Sequence, residues 1–236
     1  MIYMIGDSTM KQNNYYAYPQ TGWGQVLYLF TKPDILVFDH AENGRSTKSF
    51  IAEGRFDKVL RELKKGDYVI CQFGHNDEKA YDPNRYTIPY ETYYDNLKYF
   101  ADEVNKKECH IVFATSITRH QFENGKCVNS HKDYPKAMLD FCKDYGYTCI
   151  DLNKITMDLY TKLGEQKSSK FHMIFDKNIY SNYKEGKDDH SHLTYEGAVN
   201  IAYLFVEALA KTNDPLNECF IDLNEVPEID YNMLKD

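Results

Sequence analysis

The chain has 236 residues, of which 27% are charged, 42% hydrophobic and 15% aromatic. That length fits one α/β domain with a full core, and that balance excludes a wholly disordered chain, a collagen-like repeat and a coiled coil. Lysine and arginine number 28 against 36 aspartates and glutamates, a formal net charge of −8, which argues against nucleic acid or anionic membrane as partners.

The opening MIYMI reaches Gly6 and Asp7 after five residues. That is too short for a secretory core, so the expected location is cytoplasmic unless a leader has been removed. No apolar run approaches the ~18 residues that cross a bilayer. Ile2–Ile5 reads as a first strand, closed by Gly6. Trp23–Phe30 reads as helix and Ile35–Ala41 as a second strand. Phe56, Val59, Leu60 and Leu63 have helical spacing, with Gly66 as a stop. Tyr68–Phe73 is a third strand, and Pro89 opens a helix whose stripe is Tyr93, Leu97, Phe100, Ala101 and Val104.

His110–Thr115 is a fourth strand, after which Asn124-Gly125 signals a type I′ hairpin. Met138, Leu139, Cys142 and Tyr145 mark another helix, stopped by Gly146. Thr148–Leu152 is a fifth strand and Ile155–Leu163 a helix ended by Gly164. The last stripe is Ala198, Ile201, Ala202, Phe205 and Leu209. The tail 212–236 then carries seven carboxylates against Lys235, a net of −6, which leaves −2 for the rest. An acidic ligand is therefore not excluded from the body.

Five strands with intervening helices imply an α/β chain with a parallel sheet covered on both faces. We expect a single doubly wound, flavodoxin-like domain over residues 1–211. The loop 165–189 and the acidic tail 212–236 are read as surface additions packed on or beside it. The six cysteines (71, 109, 127, 142, 149 and 219) have no C-x-x-C spacing. They read as small buried hydrophobes of a reducing compartment, with a Cys109–Cys149 bridge as the lesser alternative.

In the 2-1-3-4-5 strand order the loops after strands 1, 2 and 3 are neighbours beyond the carboxyl ends, where such sheets hold their ligands. Those loops contain Gly6-Asp7-Ser8-Thr9, Asn43-Gly44-Arg45-Ser46 and Gly74-His75-Asn76-Asp77, and Asp189-His190-Ser191-His192 precedes the last helix. Each set alone reads as a turn or a helix cap. Together they supply the parts of an acyl transfer. Ser8 is a nucleophile on a tight turn, His192 a base oriented by Asp189, Asn76 a side-chain amide, and Gly44 an unobstructed backbone N–H.

These four blocks, in this order over residues 6–192, resemble the SGNH/GDSL hydrolase superfamily. Gly-Asp-Ser-Thr, Gly-Arg-Ser and Gly-His-Asn-Asp resemble the rhamnogalacturonan acetylesterase-like carbohydrate esterases within it. The fillers His190 and Ser191 are a departure, and the resemblance offers no role for the acidic tail. The resemblance implies that His192 deprotonates Ser8, Asp189 fixes the imidazole, and the oxyanion rests on the N–H groups of Ser8 and Gly44 and the amide of Asn76. It implies an acetylated oligosaccharide or polysaccharide as partner, rhamnogalacturonan- or xylan-type, and no cofactor or metal.

Around that centre, Tyr15, Tyr16, Tyr18, Trp23, Tyr81 and Tyr86 are expected as sugar-stacking walls, because their loops follow the nucleophile and Asn76; tyrosine and tryptophan offer flat apolar faces to sugar rings. Arg45 is expected to pair with Asp7 or Asp77, with steering of a substrate carboxylate as the alternative. His75 is a pocket wall or a partner beside Asn76, and His172 a lining residue of the approach to Asp189. His40, His110, His120 and His131 are expected at the surface or at strand ends.

Three other functions compete with this one. A lipase or thioesterase needs an apolar acyl groove, whereas these loops are polar and tyrosine-rich. A non-catalytic carbohydrate-binding relative would not need all four blocks intact. A metal-dependent phosphoesterase could use the cluster Asp188 to His192, but no Asp-x-His follows the first strand.

Overall fold

The computed structural model describes residues 1–225. β1 (Ile2–Gly6) is buried throughout and points Ile2 and Met4 to one face, Tyr3 and Ile5 to the other. An uninterrupted apolar run is what a strand covered on both sides requires. After it come α1 (Trp23–Val26) with a 3₁₀ turn, Leu27–Phe30, and then β2 (Val37–Asp39). The single helix expected over Trp23–Phe30 is thus split, with Val26 at φ −111°, ψ 1°. β2 is shorter than expected because it is an edge strand, pairing only with β1 through three residues.

α2 (Thr47–Ala52) and α3 (Arg55–Glu62) lead to β3 (Tyr68–Gln72), and α4 (Tyr94–Lys106) leads to β4 (His110–Ala114). Asn124 and Gly125, both at positive φ, turn β5 (Phe122–Glu123) into antiparallel β6 (Lys126–Cys127), the geometry of a type I′ hairpin. α5 (Tyr134–Tyr145) precedes β7 (Cys149–Ile150), where Asp151 caps α6 (Leu152–Leu163) by accepting from Lys154 N. The main sheet has the order β2-β1-β3-β4-β7, all parallel.

The region 165–189 is not the loop expected. It holds α7 (Glu165–Ser168), a 3₁₀ turn and β8 (His172–Phe175), which pairs antiparallel with β9 (Lys187–Leu193) before α8 (Tyr195–Leu209). The polar run Lys187–Ser191 carries no apolar alternation, so its strand character comes from pairing with β8.

One core packs α1, α6 and α8 on the Ile2–Met4 face, and the other packs α2 to α5 on the Tyr3–Ile5 face. Trp23, Phe100, Phe113, Phe141 and Phe205 are fully buried, each worth ~1.5–3 kcal/mol of transfer free energy. The start of the acidic tail is part of this packing. Leu216, Cys219 and Phe220 enter the α8 core, and Thr31 bridges Phe220. Glu228, Asp230 and Asp236 lie outside the described residues. All six cysteines are unbridged, and five are buried. Among the described residues no helix is long and apolar enough to cross a membrane.

Candidate active site

The carboxyl ends of β1, β2 and β3 bring three of the four sequence blocks to one edge, and β9 delivers the last. After β1 the Asp7 carbonyl accepts from Met10 N and Lys11 N, closing a tight turn. The Asp7 carboxylate turns inward and takes Thr9 N and Thr9 Oγ1, both at 2.9 Å. Ser8, flanked by two anchored neighbours, is left partly exposed.

Ser8 Oγ stands 2.9 Å from His192 Nε2, and His192 Nδ1 stands 2.8 Å from Asp189 Oδ2. With the ring proton on Nδ1, the imidazole donates to the carboxylate and accepts from the hydroxyl. Asp189 Oδ1 also accepts from Ser191 N at 3.0 Å and His192 N at 3.1 Å. Burial alone would raise the Asp189 carboxyl. The ring of His192 and these backbone N–H groups instead hold it well below the usual carboxylate range. A hydroxyl, an imidazole and an ionised carboxylate in line can move a proton from oxygen to nitrogen and stabilise the imidazolium.

Glu42 N donates to Gly6 O, tying the second block to the first, and Arg45 N returns to Glu42 O. Gly44, the third residue of that turn, has φ +73°, which its lack of a Cβ allows. At Gly74 (φ +147°) a Cβ would come within 2.5 Å of Ser116 Oγ. A side chain there would have to displace the Ser116 hydroxyl, and the positive φ would strain it as well. Asn76 Nδ2 donates to Arg45 O at 3.1 Å, joining the second and third blocks. The chain after β3 runs through turns before the next helix, so Asn76 caps no helix.

Several expectations fail on contact with the packing. Trp23 is fully buried, its Nε1 donating to Gln72 Oε1 at 2.8 Å, while Gln72 Nε2 donates to Thr9 Oγ1 at 2.7 Å. It braces the nucleophile turn from below and stacks on no sugar. Arg45 pairs with Glu53 at 3.0 Å and with Asn43 O, rather than with Asp7 or Asp77. Asp77 instead accepts from Thr47 N, Thr47 Oγ1 and Thr87 Oγ1. His172 borders a groove beside Tyr18 and Phe175 as expected, but it is completely buried against Tyr160 and His120 and sits in the groove's floor. His120 and His131 are buried too, not at the surface.

His75 lies 3.4 Å from Asp7 Oδ2, with its ring against that of His131. Burial first, then the neighbouring His131, pushes it down to about 4, so it is a neutral ring at pH 7. Tyr15, Tyr16 and Tyr81 are strongly exposed, and Tyr18 half-exposed. Tyr86 is intermediate. Asn182 Nδ2 donates to the carbonyls of Tyr15 and Tyr18, fastening that turn to the β8–β9 connection. A groove lined by Tyr18, Pro19, Phe175, Ile179, Tyr180 and Tyr195 lies between them and the first turn of α8. Tyr180 and Ile179 went unnoticed in the sequence, where nothing links them to Tyr18. Among the described residues no cluster of three or more His, Cys, Asp or Glu side chains could hold a metal ion.

Comparison with known proteins places these features in context. Residues 2–205 match the GDSL-like lipase/acylhydrolase family. A rhamnogalacturonan acetylesterase of Bacillus subtilis is 36% identical over 218 residues, 92% of each chain. A rhamnogalacturonan acetylesterase of Emericella nidulans is 27% identical over 229 residues, covering 92% of this chain and 87% of that one. The crystal structure of the YxiM protein of Bacillus subtilis superposes with a TM-score of 0.76 at 23% identity. That likeness covers 89% of this chain and 56% of the other, so this chain spans a little over half of that protein.

Proposed function

Because the chain belongs to the GDSL-like lipase/acylhydrolase family and is a carboxylic ester hydrolase, we propose that it removes O-acetyl groups from rhamnogalacturonan, with Ser8, His192 and Asp189 as its catalytic triad. The observation that carries the substrate is the likeness to a rhamnogalacturonan acetylesterase along nine-tenths of both chains. The exposed Tyr15, Tyr16, Tyr18 and Tyr81 supply flat faces for sugar rings.

In this reading His192 Nε2 takes the proton of Ser8 as its Oγ attacks the acetyl carbonyl. Asp189 holds the imidazole in place and balances its charge. The backbone N–H groups of Ser8 and Gly44 and the Asn76 amide receive the oxyanion. Asn76 spends one amide proton on Arg45 O and keeps the other for this task. His192 then protonates the leaving sugar hydroxyl, and water repeats the cycle on the acetyl-enzyme. Arg45, His75 and Trp23 serve the scaffold and do not touch substrate.

Acetate release across acetylated rhamnogalacturonan, xylan and simple aryl acetate tests the reading. The highest kcat/KM should fall on rhamnogalacturonan oligosaccharides. Equal or better turnover of acetylated xylan would move the assignment to that polymer.

A further inference from the structure

Arg119 lies in the chain following β4, outside all four sequence blocks, with a side chain 22% exposed. Its Nε donates to Ser191 Oγ at 3.2 Å, and its Nη1 to Ser130 O at 3.1 Å and His131 Nδ1 at 3.4 Å. Its Nη2 donates to Glu78 Oε1 at 2.5 Å and His75 O at 3.4 Å. Five N–H groups meet five acceptors, which is the whole donor capacity of a guanidinium. His131 Nε2 donates to Ile117 O at 2.9 Å, leaving its Nδ1 free to accept from Arg119.

The partners are what give this arrangement meaning. Ser191 stands between Asp189 and His192, and its N–H already donates to Asp189 Oδ1. His75 and Glu78 flank Asn76. The same stretch of chain is laced to β9 by two further bonds, His120 N to His190 O and His190 Nδ1 to His120 O, both 2.8 Å. Glu78 sets Oε1 2.5 Å from Arg119 Nη2, so its carboxyl faces the guanidinium directly.

We propose that Arg119 is a positioning residue that locks the strand carrying Asp189 and His192 to the loop carrying Asn76, so that base and oxyanion donor keep one relative geometry. The proposal rests on the roles assigned to those residues above. A rigid planar fork can fix three segments at once, whereas an ammonium of equal charge on a flexible stem cannot. The leverage is short, one residue from His192, and misplacement of a reacting group by ~1 Å costs ~10²-fold in rate.

Arg119→Lys keeps the charge and the Glu78 pair but loses the fork. Its kcat should fall ~10-fold or more while KM stays within ~3-fold, since substrate contacts are untouched. The rate at which a phosphonylating reagent labels Ser8 should fall in parallel, because that reaction reads nucleophile and base without substrate binding. Ser191→Ala, a small deletion expected to fold, should lower kcat in the same direction with KM unchanged. The double variant should be no slower than Arg119→Lys alone. Wild-type kcat in a folded Arg119→Lys enzyme would overturn the proposal. So would full additivity of the two substitutions, or an activity loss that merely tracks the unfolded fraction. Ser8→Ala on the same substrate separates the two levels: if it stays active the triad reading fails, and if it is inactive while Arg119→Lys is normal, only the Arg119 role fails.

Discussion

His192 Nε2 and Ser8 Oγ stand 2.9 Å apart although 184 residues separate them in the chain. Two independent devices hold that distance. The nucleophile turn is fastened by the Asp7–Thr9–Gln72–Trp23 chain of hydrogen bonds, and the base by the Asp189 contacts within β9. Nucleophile and base should therefore behave as one unit. Ser8→Ala should keep the wild-type melting temperature and lose at least ~10³-fold in kcat on an acetyl ester, His192→Ala about the same, and the double variant little more. Steady-state kinetics with a melting curve on each protein check this; multiplying losses in the double variant would break the unit.

Asp189 orients and charges the imidazole without touching substrate. Asp189→Asn preserves size but turns a donor toward Nδ1, favouring the wrong tautomer, so kcat should fall by ~10⁴ with KM little changed. Asp189→Ala should be milder, because water can take the orienting position. If the asparagine variant retained more activity than the alanine variant, the tautomer argument would be wrong.

For Asn76 the magnitude separates two roles. Loss of its bond to Arg45 O should cost ~1 kcal/mol of stability, the usual net worth of one hydrogen bond. Loss of an oxyanion donor should cost ~10²–10³ in kcat with KM within a few-fold. Asn76→Ala is expected to show both effects. A destabilised enzyme with intact kcat would leave the oxyanion to two backbone donors.

His75 gives the fold a dependence on acid. Its folded value is pushed down to about 4 from an ordinary 6.5, first by burial and then by His131. Between those two values the unfolded chain binds a proton that the folded chain refuses. The contribution is whole above pH 6.5 and shrinks as pH falls toward 4, by ~3 kcal/mol in all. His75→Asn should flatten the loss of unfolding free energy over that window in urea titrations. An unchanged slope would show that another group carries it.

The sheet was legible because β1, β3 and β4 are apolar runs, the first two closed by a glycine where the chain turns away. The four blocks were legible because their residue types are chemically unusual and their order follows the strands. β8 and β9 were not. His172–Phe175 is too short to show a period, and Lys187–Ser191 is polar on both faces, so only their mutual pairing makes them strands. Trp23 looked like a sugar platform because an aromatic residue near a nucleophile carries no mark of depth; its partner Gln72 lies 49 residues away. Arg45 was assigned the wrong partners and Arg119 passed unnoticed, for one reason. A guanidinium's partners are set by tertiary neighbours: Arg45 found Glu53 eight residues on, and Arg119 gathered Glu78, Ser130 and Ser191 from three separate segments.

The central claim is a covalent acetyl-enzyme on Ser8, and acid-quenching the protein during turnover of an activated acetyl ester tests it most directly. Peptide mapping by mass spectrometry should find one acetyl group, on the peptide containing Ser8, and none in the Ser8→Ala variant, which should release no acetate above background. Persistent acetate release by Ser8→Ala, with no acetylated Ser8 in the quenched native enzyme, would contradict the account.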